Sequence, residues 1–211
     1  TDGVFQTWED VHAYTNAEGG LIQPDAQPGD FRYKDLNGDG SITAEGDRAN
    51  LGKCVPSWTY GINASIDWKG IDFSMVWQGV AGNNVFDATR RTDIPVMNQP
   101  KYVLNRWTGE GSTNEYPRFT NTDPNQNWSK ASDFFIKDAS YFRLKNVTLG
   151  YTLPVNWTNK IFVKKFRVYV ACENALTFTK YDGFDPEIAD YVDRGIYPQA
   201  RTVQFGANIT F

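Results

Sequence analysis

The chain has little of what enzymes and helical membrane proteins depend on. Its 211 residues include one histidine, His12, and two cysteines, Cys54 and Cys172. A single histidine argues against a His-rich metal site and against most His-based acid/base chemistry. No run approaches the roughly 18 consecutive apolar residues of a membrane helix, and mean hydropathy is −0.53. There is no basic excess: net charge is −4 and the pI about 5.0, so nucleic acid is not an expected partner. No Gly-rich phosphate cradle occurs. Cys54 sits in a Gly/Pro-flanked loop and Cys172 at an apolar position of a strand; two unlinked, buried or half-buried thiols are expected, with a disulfide open only in an oxidising compartment. Thr1 is no initiator and no signal peptide precedes it, so the chain is expected to begin inside something longer or after a processing point.

What is present is aromatic. There are 14 Phe, 11 Tyr and 7 Trp, 15% of the chain, with 40% apolar residues. That excludes disorder and suits strands. From Trp58 to Trp68, Trp58, Tyr60, Ile62, Ala64, Ile66 and Trp68 alternate with Thr59, Gly61, Asn63, Ser65 and Asp67, the period of a strand with two unlike faces. Lys69-Gly70 reads as a reversal, and Phe73, Met75 and Trp77 then share a face, with Val76 the exception on the other. Val147, Leu149, Tyr151 and Leu153 alternate likewise, as do Phe166, Val168, Val170 and Cys172 before the pattern blurs at Asn174. Val203, Phe205, Ala207, Ile209 and Phe211 close the chain. The expected strands are 57–68, 71–80, 139–153, 164–180 and 199–211; short helices are expected near Trp8–Tyr14 and Tyr102–Trp107.

A soluble sandwich alternates in the same way, so length and order must decide. Strands of 11 to 16 residues exceed the usual five or six and match a tilted bilayer span. Short links (69–70, 154–163) alternate with long ones (1–56, 81–138, 181–198), so every short link falls on one side, as in outer-membrane barrels. Trp58, Trp68, Tyr151 and Phe211 stand at strand ends, where interfacial girdles lie. The expectation is therefore all-β: antiparallel strands of a large transmembrane barrel, with 1–56, 81–138 and 181–198 extracellular. Five strands cannot close a barrel, for which about eight is the minimum. The alternative is a soluble, calcium-containing β-sandwich that binds glycan.

Chemistry-bearing clusters are few. Asp35, Asn37, Asp39 and Ser41 occupy positions 1, 3, 5 and 7 of a calcium loop, with Gly40 at the turn. Position 12 is Gly46 rather than Glu, so Asp47 is the candidate closing ligand of a structural Ca2+ site; a plain Asx turn is the alternative. Asp67 and Glu173 are better read as solvated lumen charges than as a glycosidase pair. Asn83-Asn84 and Trp107-Thr108-Gly109-Glu110-Gly111 could present amides and rings to a sugar, or merely pack loops. No converging acid/base pair suggests an enzyme.

Four segments in order carry a resemblance: Pro28 to Gly40 (PGDFRYKDLNGDG), Asp138 to Tyr151 (DASYFRLKNVTLGY), Gly183 to Glu187 (GFDPE), and Tyr197 to Thr202 (YPQART) before the closing Phe211. Together they resemble the C-terminal part of the SusC/RagA family of TonB-linked outer-membrane proteins of Bacteroidetes. The resemblance implies a plugged barrel of about 22 strands, energy from TonB through an N-terminal part outside these residues, a SusD-type surface lipoprotein as lid, and oligosaccharide or peptide substrates. It also implies that Phe211 belongs to a barrel-assembly signal.

Overall fold

The computed structural model describes residues 1–90 and 98–211; residues 91–97, inside the expected 81–138 loop, lie outside the described part. Two compact units form, one from residues 1–51 and 87–136, the other from 52–86 and 137–211. The segments expected as separate loops 1–56 and 81–138 thus fold for most of their length as one unit.

The second unit is built on strands β1 (Trp58–Trp68), β2 (Ile71–Ala81), β3 (Asn84–Asp87), β4 (Ile136–Asp138), β5 (Tyr141–Thr152), β6 (Lys165–Thr179), β7 (Val192–Asp193) and β8 (Thr202–Thr210). The long strands form one sheet in the order β1-β2-β5-β6-β8, every neighbour antiparallel. β1 and β2 are joined by Lys69 and Gly70, both at positive φ (47° and 86°), the pair of left-handed residues that a two-residue hairpin needs to match strand twist. A Cβ on Gly70 would come 2.8 Å from the Thr152 carbonyl, so glycine is required there sterically as well.

Register explains the alternation. Ile62 faces Trp77, which faces Leu144, which faces Leu176; Ile66 leads through Phe73 and Leu149 to Val170 and Phe205. Each row on that face is apolar from edge to edge. The opposite face carries Asn63, Ser65, Ser74, Asn146, Thr148 and Gln204, with Val76 the apolar intruder opposite Asn63 and Asn146. The blurring at Asn174 is a β-bulge: the β5–β6 register jumps there, Asn174 has φ 51°, and Lys145 is the extra residue of β5 against β2. A bulge adds a residue to one strand and bends the ladder, which breaks period two without ending the strand.

β4-β3-β7 make a small second sheet, tied by the Phe86 N–H donating to the Tyr191 carbonyl at 3.0 Å. Val85, Ala139, Tyr181 and Ile188 form its core, with Ile196 packed against them. Strands of two to four residues are too short to carry a readable period. The expected link 154–163 contains a one-turn helix, Val155–Thr158, after Pro154.

The first unit has no ladder among the described residues beyond isolated bridges such as Val4 with Phe31. Its helix α1 (Trp8–Ala13) begins in a capping box, Thr7 accepting from the Asp10 N–H and Asp10 accepting from that of Thr7, which satisfies otherwise orphaned donors. The second expected helix is a 3-10 segment, Lys101–Asn105. Val4, Phe31 and Tyr33 make one core, and Phe5, Val11 and Ala26 another.

Candidate functional site

The sheet's two faces define the site. Edge to edge, its apolar face is exposed: Trp58, Ile66 and Phe205 show 73%, 64% and 84% of their surface. Eleven residues of β1, at about 3.3 Å each and a tilt of about 45°, span roughly 25 Å, the height of a lipid-facing band. At the long-loop end Tyr60, Trp77, Phe142 and Phe178 make a row of rings, Trp77 stacking on Phe142 with centroids 4.7 Å apart. At the other end stand Trp68 and Tyr151, and Phe211 follows the end of β8, exposed. Among the polar-face charges, Arg167 Nε and Nη2 clasp Asp72 at 2.8 and 2.5 Å.

Over this polar face the 181–198 loop is pinned. Arg143 of β5 is 3% exposed, and three of its nitrogens are engaged. Nη2 donates to Asp185 Oδ1 at 2.8 Å, Nη1 to Glu187 Oε2 at 2.9 Å, and Nε to Thr177 Oγ1 at 2.9 Å. Lys145, the bulge residue, donates to both oxygens of Glu187. Asp185 also accepts the N–H groups of Glu187 and Gln199 at 2.9 and 2.8 Å. Burial pushes the Asp185 carboxyl up, but the Arg143 guanidinium and those two N–H groups outweigh it and hold it below the usual carboxylate range. Deeper in the loop, Tyr181 donates its hydroxyl to Asp193, which accepts from Gly195 N at 2.8 Å. Three separated motif segments, around Arg143, Asp185 and Gln199, therefore meet at one buried cluster. The motifs are visible in the sequence; their contact is visible only in the fold.

The PGD motif has a similar basis in the first unit. Asp30, with no exposed side chain, takes Arg118 Nε and Nη2 at 2.5 and 3.1 Å and Asn127 Nδ2 at 2.8 Å. Gly29 has φ 91°, and a Cβ there would lie 2.5 Å from the Trp107 ring. Trp107 itself packs against the Phe31 core and donates to Gln6 Oε1 at 3.1 Å. Asn83 is buried.

The acidic loop closes on backbone donors. Asp35 accepts from Gly38 N and Gly40 N at 2.7 and 2.8 Å, and Asp39 from Ser41 N and Oγ at 2.9 Å. Asn37 Oδ1 accepts from Asp39 N, and its Nδ2 donates to Asp39 Oδ2. Asp47 reaches back to Leu36 N and Thr43 N at 2.7 and 2.6 Å. The side chains of Asn37 and Ser41 lower the Asp39 carboxyl, and the N–H groups of Thr43 and Leu36 lower that of Asp47. Among the described residues no three His, Cys, Asp or Glu side chains are gathered closely enough for a metal. The donors have calcium chemistry, but this geometry does not preassemble them.

One other expectation changes. Cys54 is exposed rather than half-buried, because its loop lies outside both cores; Cys172 is half-buried on the apolar face, and both are free. Asp67 and Glu173 share the polar face but lie three strands apart in the sheet order and in different rows. Three strand spacings alone are about 14 Å, too far for a glycosidase pair.

One antiparallel sheet with an exposed apolar face, bilayer-height strands and a loop folded onto its polar side is a section of transmembrane barrel wall. No family model matches the chain. It is 31% identical over 99% of its length to TonB-dependent receptor P26 of Formosa agariphila. It is 26% identical over 90% of its length to TonB-dependent receptor SusC of Bacteroides thetaiotaomicron. The structure of the RagAB peptide transporter superposes on 82% of the chain with a TM-score of 0.66 and 26% identity. The chain spans about a fifth of these proteins, 22%, 18% and 19% of their lengths. It is a SusC/RagA-type TonB-dependent receptor segment, an open piece of an outer-membrane barrel.

Proposed function

We propose that this segment supplies wall, lumen surface and extracellular loops to a receptor that imports oligosaccharides or peptides, driven through TonB and capped by a SusD-type lipoprotein; it performs no chemistry on its cargo. The observation that carries the reading is the register-matched sheet, apolar in every row on one face, with the Arg143 cluster fixing a loop over the polar face. A soluble glycan-binding sandwich needs its apolar faces to meet, whereas this face is exposed. RagAB, the related structure, is a peptide transporter, which favours the import of oligomeric nutrients over the passage of ions.

Fractionation of the source cells with mass spectrometry of the native protein tests this. Recovery in the outer membrane at four to five times the mass of this segment, about what a 22-strand plugged barrel needs, is expected. A small secreted species would make the soluble sandwich the leading account.

For the acidic loop we propose weak, structural calcium binding through Asp35, Asn37, Asp39, Ser41 and Asp47. Hard oxygen donors suit the ion, and Asp47 already turns back toward the start of the loop. Binding has to draw the carboxylates together, which keeps the affinity low.

A further inference from the structure

The short-connection end of the sheet carries exposed groups that neither the polar face nor the loop latch uses. Between Asp138 and Glu173 the sequence has no Asp or Glu, but it places Lys160, Lys164 and Lys165 in or beside the link from β5 to β6. All three are exposed, and so is Lys69 in the β1–β2 turn at the same end. Antiparallel order puts these connections side by side: Gly70 O accepts from Thr152 N, and Leu153 N donates to Phe166 O. Lys69 and Lys164 are thus two strand spacings apart, about 10 Å. Lys165 is in step with Arg167 on the polar face, where it adds positive charge beside Asp72, the carboxylate that Arg167 clasps. Lys164, two residues before Phe166, is in step with the apolar face and stands at the outer rim with Lys69. Trp157 and Phe162 project from the same link, the latter 90% exposed, as side chains seated at a membrane interface do.

Directly beyond this rim, on the apolar face, lies a groove of about 470 Å3. Val168 and Val170 of β6 stand between Ile71, Leu149 and Tyr151 on one side and Phe205 on the other. Short β-branched side chains between longer ones leave this shallow depression in the apolar face.

We propose that this rim and groove form a binding site for one anionic phospholipid of the periplasmic leaflet, an acyl chain lying along Val168 and Val170 and the phosphate over Lys69 and Lys164. The assignment rests on the reading that the apolar face meets the bilayer. Lysines beside an anionic surface favour it through long-range attraction, and the shallow apolar groove suits a hydrocarbon chain better than a polar ligand. A zwitterionic headgroup brings the same chains without net negative charge, so the two lipid types separate the contributions.

The test is native mass spectrometry of the full-length receptor, exchanged into equal amounts of phosphatidylglycerol and phosphatidylcholine with identical chains. Wild-type receptor is expected to retain the anionic lipid about ten-fold over the zwitterionic one, with the preference falling as salt rises. Lys69→Gln/Lys164→Gln should bring the ratio close to one, and Val168→Phe should fill the groove and cut retention while the lysines remain. Equal retention by the wild type overturns the site, as does a preference that survives loss of the two lysines. If the double variant fails to assemble, the wild-type ratio and its salt dependence decide alone. A receptor absent from the outer-membrane fraction would instead sink the wall reading, so the two failures are distinguishable.

Discussion

In the unit formed by residues 1–51 and 87–136, rings point inward: Phe5, Phe31 and Trp128 are each 2% exposed or less. Phe134 is ringed by Phe31, Tyr116 and Trp128. In the sheet of the other unit most of the same residue types point outward, and the buried groups include the Arg143 guanidinium with the Asp185 carboxylate. One sequence thus follows two opposite rules for burial. The first unit is built for water on its outside. The sheet is built for hydrocarbon outside and water within, where apolar exposure costs nothing and polar groups gather on the inner face.

The largest effect that can break this contrast is expected at Asp30. Asp30→Ala leaves Arg118 and Asn127 without their buried acceptor, and breaking a buried pair costs about 3–5 kcal/mol. Hydrogen exchange of the full-length receptor should show residues 1–51 and 87–136 losing protection while the sheet keeps it. Loss of protection in both units together would mean that they are not independent. Next comes the sheet itself. Phe205→Asp puts a charge on the lipid face, at a cost of about 2 kcal/mol near the midplane, whereas Gln204→Asp on the lumen side costs far less. Assembly assayed by heat-modifiable migration should fall for the first variant only; equal assembly would reverse or abolish the assigned faces.

How much was legible follows the same division. The five long strands could be read because each presents unlike faces to unlike solvents, which stamps period two on the sequence. The two-residue turn was visible in Lys69-Gly70 because only certain backbones fit it. The first unit was opaque: its chain is irregular, and its order comes from contacts such as Asp30 with Arg118, 88 residues apart, that leave no local pattern. β3, β4 and β7 were missed since a strand of two to four residues carries no measurable period. The Arg143 cluster lay between these cases. Its residues stood in recognisable motifs, but only the register and the bulge at Lys145 show why an arginine, a lysine and two acids are needed together.

The latch makes a smaller, pH-dependent prediction. The folded Asp185 carboxyl is held below its unfolded value of about 3.9. Its contribution is therefore complete above that value and is lost as pH falls through the lower, folded one. Protease sensitivity of the 181–198 loop should be flat from pH 7 to about 5 and rise only below about 4. Asp185→Asn, which removes the charge but keeps the shape, should make the loop sensitive already at pH 7. A rise centred near pH 6 would point to some group other than Asp185.

The smallest effect concerns the acidic loop and bears on the first unit alone. Extracellular calcium sites bind at about 10⁻⁴–10⁻³ M, so 5 mM calcium stabilises a site of 1 mM affinity by only about 1 kcal/mol. Because Asp35, Asp39 and Asp47 start out bonded to backbone N–H groups, binding trades those contacts for the ion, and the gain stays small. Calorimetry on the full-length receptor should show weak, saturable heat that Asp39→Ala abolishes, while Asp39→Asn, which keeps an oxygen donor, should weaken it. Calcium should leave assembly of the Phe205 and Gln204 variants unchanged, since the ion acts in the unit that those residues do not belong to. A flat titration of the parent would leave the segment as a turn closed by its own N–H groups, with Asp47 as its clasp.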